Sequence, residues 1–313
     1  MARAHPNLAV HSPDAQAPRA EIGLSRLQLN DQFPLHVVID GVRDDQPITL
    51  LHWHNALELG YCVEGSGTFY VANKILPFHA GDFTVITDSE YHRCRSSPGT
   101  VSRWAWFFLD PIRLLIPHMT TATAWQPERF RGDHFDNVIS PDRDSILTQY
   151  VRLLVTEASK EDDLSRDNLR SLIQLIVNQL HRVFPLPAEA TSGLPPMHRA
   201  SHRMLERIAP ALGLITHHFD QPLTVVELAD ACDMSLRTFQ VNFTEQMKRS
   251  PKSYLQHSRI QAAAAMLVQK DRSITEIALT CGFNSISSFN RTFKRVHGLS
   301  PREYAIRRRS GDS

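Results

Sequence analysis

The spacing of apolar positions changes character twice along the chain. Between residues 21 and 110 it comes in short runs rich in β-branched and aromatic residues: Leu35–Ile39, 49–52, Leu57–Val63, Thr68–Val71, Phe83–Ile86 and Trp104–Leu109. Turn signals separate them at Asp40-Gly41, Glu64-Gly65-Ser66-Gly67, Ala80-Gly81-Asp82 and Ser97-Pro98-Gly99. Many short strands at even spacing predict a β-barrel or jelly roll. From residue 141 the period becomes helical. Asp144–Ser159 puts Ile146, Tyr150, Leu153 and Leu154 on one face. Asp167–Phe184 carries a wider stripe, with Leu169, Leu172, Ile173, Ile176, Val177 and Leu180 at helical spacing. Pro185, Pro187, Pro195 and Pro196 then forbid regular structure. Helical pattern resumes at Met204, Leu205 and Ile208. Pro210 is expected in the first turn of a separate helix, Ala209–Phe219, and residues 251–269 form one long helix with Ile260, Ala263, Ala264 and Leu267 on a face.

Residues 273–304 read as helix, tight turn, helix. Ile274, Ile277 and Ala278 recur at helical spacing, and Gly282 supplies the positive φ that a tight turn often needs. Asn284 and Ser285 are N-cap residues for the second helix, Phe289 and Phe293 share its inner face, and Gly298 stops it. The pattern occurs once before. Glu227, Leu228, Ala229 and Cys232 correspond to Glu276, Ile277, Ala278 and Cys281; Phe239, Phe243, Ser250, Pro251 and Tyr254 correspond to Phe289, Phe293, Ser300, Pro301 and Tyr304. Two copies are too few for a solenoid but suit two DNA-reading heads on one polypeptide. Turning 100° per residue from Phe239 points Arg237, Val241 and Thr244 outward, with Gln240 to the side. From Phe289 the same rotation points Ser287, Arg291 and Lys294 outward, with Asn290 to the side. Arg is a bidentate donor to guanine, and Gln or Asn matches adenine.

Charge changes the picture through its distribution. The whole chain carries a net +1. From Arg199 onward there are 17 lysines and arginines against 10 acids, and the first 198 residues are correspondingly acidic. A basic helical region behind an acidic β-rich one points to nucleic acid for the former. The sequence is expected to fold as two domains: a mobile tail over 1–20, an all-β barrel with following helices over 21–184, a Pro-rich linker over 185–200 and an all-α domain over 201–313. The four cysteines form no CxxC pair, which suits a reducing cytoplasm, and neither a signal peptide nor a membrane span is expected. No GxGxxG or P-loop motif appears.

Residues 203–305 resemble the DNA-binding domain of the AraC/XylS family of transcription regulators. The resemblance runs through Leu223…Glu227-Leu228-Ala229, Ser235…Phe239…Phe243, Ser250-Pro251…Tyr254-Leu255…Arg259-Ile260, and again through Ile274…Glu276-Ile277-Ala278…Gly282-Phe283…Phe289…Phe293-Lys294…Gly298…Ser300-Pro301…Tyr304. One departure is Ala305, where the family often has Arg. The resemblance implies base contacts from Arg237, Gln240, Val241, Ile286, Ser287, Ser288 and Arg291, with Asn290 beside them. It implies phosphate contacts from Lys248, Arg249, Lys294 and Arg295. Upstream, His52-Trp53-His54…Glu58…Gly65 resembles the first cupin motif, and Gly81-Asp82-Phe83…His92 the second, with Thr87 and Ser89 in place of the usual Pro and Gly. The family places such a barrel ahead of its DNA-binding domain. His52, His54, Glu58 and His92 match the cupin metal-ligand positions, and imidazole with carboxylate suits Zn, Fe, Ni or Mn. Three readings of the quartet stay open: a divalent metal site, a metal-free pocket for a small effector, or structural histidines. Trp104 and Trp106 share a strand face and are candidates for stacking on a sugar-like effector ring, or for core packing. The resemblance further implies an activator with no required cofactor, acting on double-stranded DNA with RNA polymerase. It also implies a homodimer whose seam uses part of the stripe Leu169, Leu172, Ile173, Ile176 and Leu180; the alternative is that this helix packs only within its own subunit. A metal-dependent cupin enzyme carrying an accessory DNA-binding domain is the rival reading.

Overall fold

The computed structural model describes residues 21–46, 50–88, 90–115, 125–160, 162, 164–185, 199–269 and 272–310. The expected tail over 1–20, nearly all of the linker and Ser89 lie outside them. The N-terminal region is all β, with strands β1 (Glu21–Leu24), β2 (Leu35–Arg43), β3 (Leu50–Trp53), β4 (Leu57–Glu64), β5 (Ser66–Val71), β6 (Lys74–His79), β7 (Phe83–Ile86), β8 (His92–Ser96), β9 (Ser102–Leu109) and β10 (Val138–Ile139). They form two five-stranded sheets, ordered β1-β3-β8-β5-β6 and β10-β7-β4-β9-β2. Short helix α1 (Pro111–Leu115) and the hairpin of α2 (Ser145–Glu157) and α3 (Ser165–Val183) follow. The C-terminal region is helical: α4 (Arg199–His218), α5 (Val225–Ala231), α6 (Leu236–Met247), α7 (Pro251–Met266), α8 (Ile274–Thr280), α9 (Ile286–His297) and α10 (Pro301–Ser310). No helix among the described residues is long and apolar enough to cross a membrane.

Strand alternation sorts side chains into three cores. Along β9, Trp104 and Trp106 point between the sheets, where they meet Cys62, Phe69, Phe78 and Cys94. Ala105, Phe107 and Leu109 point the other way, onto the α2–α3 hairpin. Both faces are covered, so the strand reads as the nearly continuous apolar run Trp104–Leu109. The outer face of the first sheet is covered as well: Leu51, Tyr70, Ile75 and Tyr91 join the core of the C-terminal helices. The barrel is thus held between α2–α3 on one side and the helical domain on the other.

Three expectations are corrected. Pro210 does not start a helix but lies inside α4. Ile208, Ala209, Ala211, Leu212 and Ile215 are buried on both sides of it, and that packing carries the helix through the hydrogen bond proline cannot donate. The stripe Leu169, Ile173, Ile176 and Leu180 is spent within its own subunit, at most 8% exposed against Phe107, Leu109 and Leu154, with half-buried Leu172 at its edge. The long helix between the heads stops at Met266, giving 16 residues.

Candidate functional site

Each head of the helical domain is built by local chemistry. Thr224 and Glu227 form a capping box that starts α5, and Ser273 and Glu276 form one that starts α8. Ser235 caps α6 and Ser285 caps α9, their hydroxyls accepting from the backbone N–H of Thr238 and Ser288. Phe239 and Phe289 are fully buried, which anchors each second helix and turns its other side outward. Arg237, Gln240 and Val241 are exposed on α6; Ile286, Ser287, Asn290 and Arg291 are exposed on α9. Ser288 is half-buried beneath the Ser285 cap. Lys248, Arg249, Lys294 and Arg295 are exposed at or toward the ends of the same two helices. The barrel packs on the far side of this domain, against α4 and α7, and leaves both rows uncovered.

The second site lies inside the barrel. β3 and β8 pair so that His52 faces His92, and β4 brings Glu58 beneath them. His52, His54, Glu58 and His92 each offer a donor atom, and those atoms all lie within 4.8 Å of one another. Glu58 Oε2 is 2.9 Å from His54 Nε2 and 3.1 Å from His92 Nε2. The opposite ring nitrogens are fixed by backbone: His54 Nδ1 donates to the Ala56 carbonyl at 3.0 Å, and His92 Nδ1 to the Glu90 carbonyl at 2.9 Å. Burial works to raise the Glu58 carboxyl, but the charge of His92 and the hydrogen bonds from both rings override it and hold it ionised. Burial, and then the neighbouring His92, push His52 down to about 3. Oriented imidazoles with a carboxylate, in a nearly closed cage, fit a divalent transition-metal ion.

Glu90 is a site residue that motif reading missed. Its side chain accepts from the Thr87 N–H and hydroxyl at 3.0 and 2.8 Å, and its carbonyl holds His92. Thr87 is one of the two residues that depart from the cupin motif, and this bond is what it contributes. Trp104 and Trp106 stack on each other, centroids 4.5 Å apart and planes 9° apart, and are 0% and 3% exposed. Gly60 makes their fit possible, because a Cβ there would meet the Trp106 ring at 2.3 Å. Cys62 and Cys94 are buried beside them; burial pushes the Cys94 thiol up to about 11, so both cysteines pack as small apolar groups.

Sequence reading also missed the contacts between the domains. Arg308 reaches the buried Asp82 carboxylate at 3.3 Å, His79 Nε2 donates to the Ala264 carbonyl at 3.2 Å, and Gln269 donates to Ser66 Oγ at 3.0 Å. Arg95 on β8 donates to the Thr216 carbonyl near the end of α4, and its guanidinium lies 5.9 Å from the Phe219 ring centre.

A barrel with a buried His₃Glu cage joined to paired helix-turn-helix heads defines the class: a signal domain fused to a nucleic-acid-reading domain. Comparison with known proteins agrees. Residues 36–190 match the family model described as an AraC-like ligand binding domain, and residues 228–308 match a helix-turn-helix domain model. The chain belongs to the AraC/XylS family, a family of transcription regulators rather than enzymes. It is similar to the melibiose operon regulatory protein of Escherichia coli (strain K12), 26% identical over 261 residues that cover 81% of this chain and 82% of that one. It is also similar to an uncharacterised helix-turn-helix-type transcriptional regulator of Staphylococcus aureus (strain COL), 24% identical over 260 residues; the match takes 80% of this chain but spans only 31% of that relative's length. Among solved structures, the DNA-binding domain of the global transcriptional factor AdpA in complex with a target DNA matches at 30% identity, 33% of this chain, 94% of that chain and a TM-score of 0.32.

Proposed function

We propose that this protein is a sequence-specific DNA-binding transcription regulator in which α6 and α9 read adjacent major grooves and the barrel receives the signal. The observation that carries this reading is the pair of exposed rows, Arg237-Gln240-Val241 and Ile286-Ser287-Asn290-Arg291, raised by the same framework on one domain. Exposed Lys248, Arg249, Lys294 and Arg295 supply the phosphate contacts that set position. In this reading residues 21–184 are the signal unit and 201–313 the reading unit. The protein acts as an activator, with RNA polymerase as its partner, as the family resemblance implies. A small effector enters at His52, His54, Glu58 and His92. Two copies pair through the outer apolar residues of the α2–α3 hairpin, Ile146, Leu153 and Leu175, which are 47%, 54% and 41% exposed.

Binding-site selection on the full chain tests the reading. The expected product is one half-site spanning two successive major grooves, with steep salt dependence from counterion release. Selection that enriches no sequence overturns it. Sedimentation of Leu153→Glu tests the pairing surface: a variant that stays dimeric removes that face from the proposal.

A further inference from the structure

We propose that a divalent transition-metal ion held by His52, His54, Glu58 and His92 is the signal this protein receives, and that strand β8 carries it to the DNA-reading helices through Arg95. The inference rests on the regulator reading above and names the chemistry of its effector.

Geometry carries the first half: the donor atoms of the four residues lie within 4.8 Å of one another inside the barrel. The carbonyls of Ala56 and Glu90 only accept, so each takes an N–H from the ring beside it. Glu58 Oε2 lies within bonding distance of the other nitrogen of both rings. His52 Nδ1 adds a buried nitrogen with no hydrogen-bond partner among the described residues. A divalent ion fits this arrangement. Both N–H groups stay on the carbonyls, and the freed lone pairs, His52 and the carboxylate all face the ion. Backbone carbonyls orienting the ligating imidazoles are the usual support of such a centre.

An organic effector fits less well. The stacked Trp104–Trp106 pair is nearly inaccessible and packed among Phe69, Phe78, Cys62 and Cys94, so it offers no free face to a ring. An ion needs only the space among four donor atoms.

The second half follows from alternation along β8. His92 and Cys94 point inward, while Arg93 and Arg95 point outward, the period-two pattern of one strand. Arg95 holds the Thr216 carbonyl, and Arg259 of α7 holds the Phe219 and Gln221 carbonyls at 2.6 and 2.7 Å. That short segment also carries the Asp220 carbonyl, which lies over Gly282 in the turn of the second head. The strand that offers His92 to the ion therefore grips the segment that lies against α7 and the turn of the second head. Such a chain of contacts is the physical form that coupling between sites takes, and its size must be measured.

The test uses full-length protein stripped with a chelator, then titrated with Zn²⁺, Ni²⁺, Mn²⁺ and Co²⁺ by calorimetry, with Co²⁺ followed by its visible absorption. One ion per chain is expected for at least one metal. Glu58→Gln and His92→Ala, checked for folding by circular dichroism, lose it. Loading should change affinity for the selected operator by roughly 5- to 150-fold. Arg95→Ala, which touches no ligand, should bind the ion with unchanged stoichiometry and lose the change in operator affinity. A folded stripped protein that takes up none of the four ions overturns the site. Stoichiometric binding with operator affinity unchanged overturns the signal role, and a response retained in Arg95→Ala overturns the route. Failure to bind any selected DNA, loaded or stripped, is a different result and sinks the regulator reading itself.

Discussion

The two heads share a framework and differ in how their backbones are held. Ring geometry is the shared part. Phe239–Phe243 and Phe289–Phe293 sit 5.3 and 5.6 Å apart, both at 54°; Phe243–Tyr254 and Phe293–Tyr304 are both 5.4 Å apart and nearly perpendicular. The left-handed positions are where they part. The second head fills its turn and its helix stop with Gly282 (φ 77) and Gly298 (φ 72). The first head puts Asp233 (φ 52) and Lys248 (φ 54) at the same places. A side chain in that region costs roughly 1–2 kcal/mol. Capping follows the same trend: α10 opens with a Ser300–Glu303 box, whereas α7 opens with Ser250 alone, its equivalent third position being Ser253. The first head gives up local stability, and at Lys248 it gains an exposed cation beside the reading helix. The helix that follows it, α7, is buried against the barrel.

The largest effect expected from this comparison is at Gly282. A Cβ there would lie 2.5 Å from the Asp220 carbonyl oxygen, on top of the positive φ. Gly282→Ala should lower stability by about 3 kcal/mol in chemical denaturation, with strain and clash adding. Asp233→Gly at the matching place relieves a positive φ and should cost less than Gly282→Ala; an equal loss in both would erase the distinction. In DNA binding, Arg237→Ala and Arg291→Ala should each cost ~1–3 kcal/mol and relax preference at positions about one turn apart. If both relax the same base pair in a selection experiment, the heads do not read separately.

Acid sensitivity is a third difference. His297 stands where the first head has Met247; burial first, and then Arg308, push it down from 6.5 to about 4. Because the folded value is depressed, its neutral ring adds stability above pH 6.5, and that contribution is lost as pH falls from 6.5 toward 4. His297→Met should flatten the pH–stability curve in that window by on the order of 2 kcal/mol. His257 and His52, pushed down to about 4 and about 3, remain as background in both proteins, so an unchanged curve would assign the acid effect to them. The smallest effect is at Lys248: Lys248→Gly should stabilise by about 0.5–1 kcal/mol by relieving the left-handed strain. It should also weaken all DNA sequences alike and lower the salt slope by about one. A loss confined to one sequence would make Lys248 a base reader.

The heads were legible in the sequence because their determinants lie within a few residues: caps, phenylalanines four apart, glycine at turn and stop. The His₃Glu cage was legible through the His52-x-His54 spacing and its strand parity. Strands β6 and β8 were not assigned from hydrophobic pattern. β6 contains Pro77, and the outward residues of β8 are Arg93 and Arg95, which look solvated until a second domain covers them. Pro210 gave a false stop, since tertiary burial overrode a local rule. The domain contacts had no local signature: Ser66 meets Gln269 and Asp82 meets Arg308 across some two hundred residues. The stripe on α3 announced burial without saying against what, and the partner is its own subunit.

Helix α7 has a consequence for how operators recognised by this protein can drift. It is 16 residues long, roughly 24 Å at 1.5 Å per residue, and Ala262 to Ala265 keep it thin enough to lie against the barrel. One inserted residue would turn the second head by about 100° relative to the first while lengthening the rod by only about 1.5 Å. Adding one base pair between the two grooves moves the target by a different angle and a different distance, so no single insertion tracks it. Spacing and phase are locked together, and the distance between the two bases read by Arg237 and Arg291 should be the least variable property of any site this protein recognises.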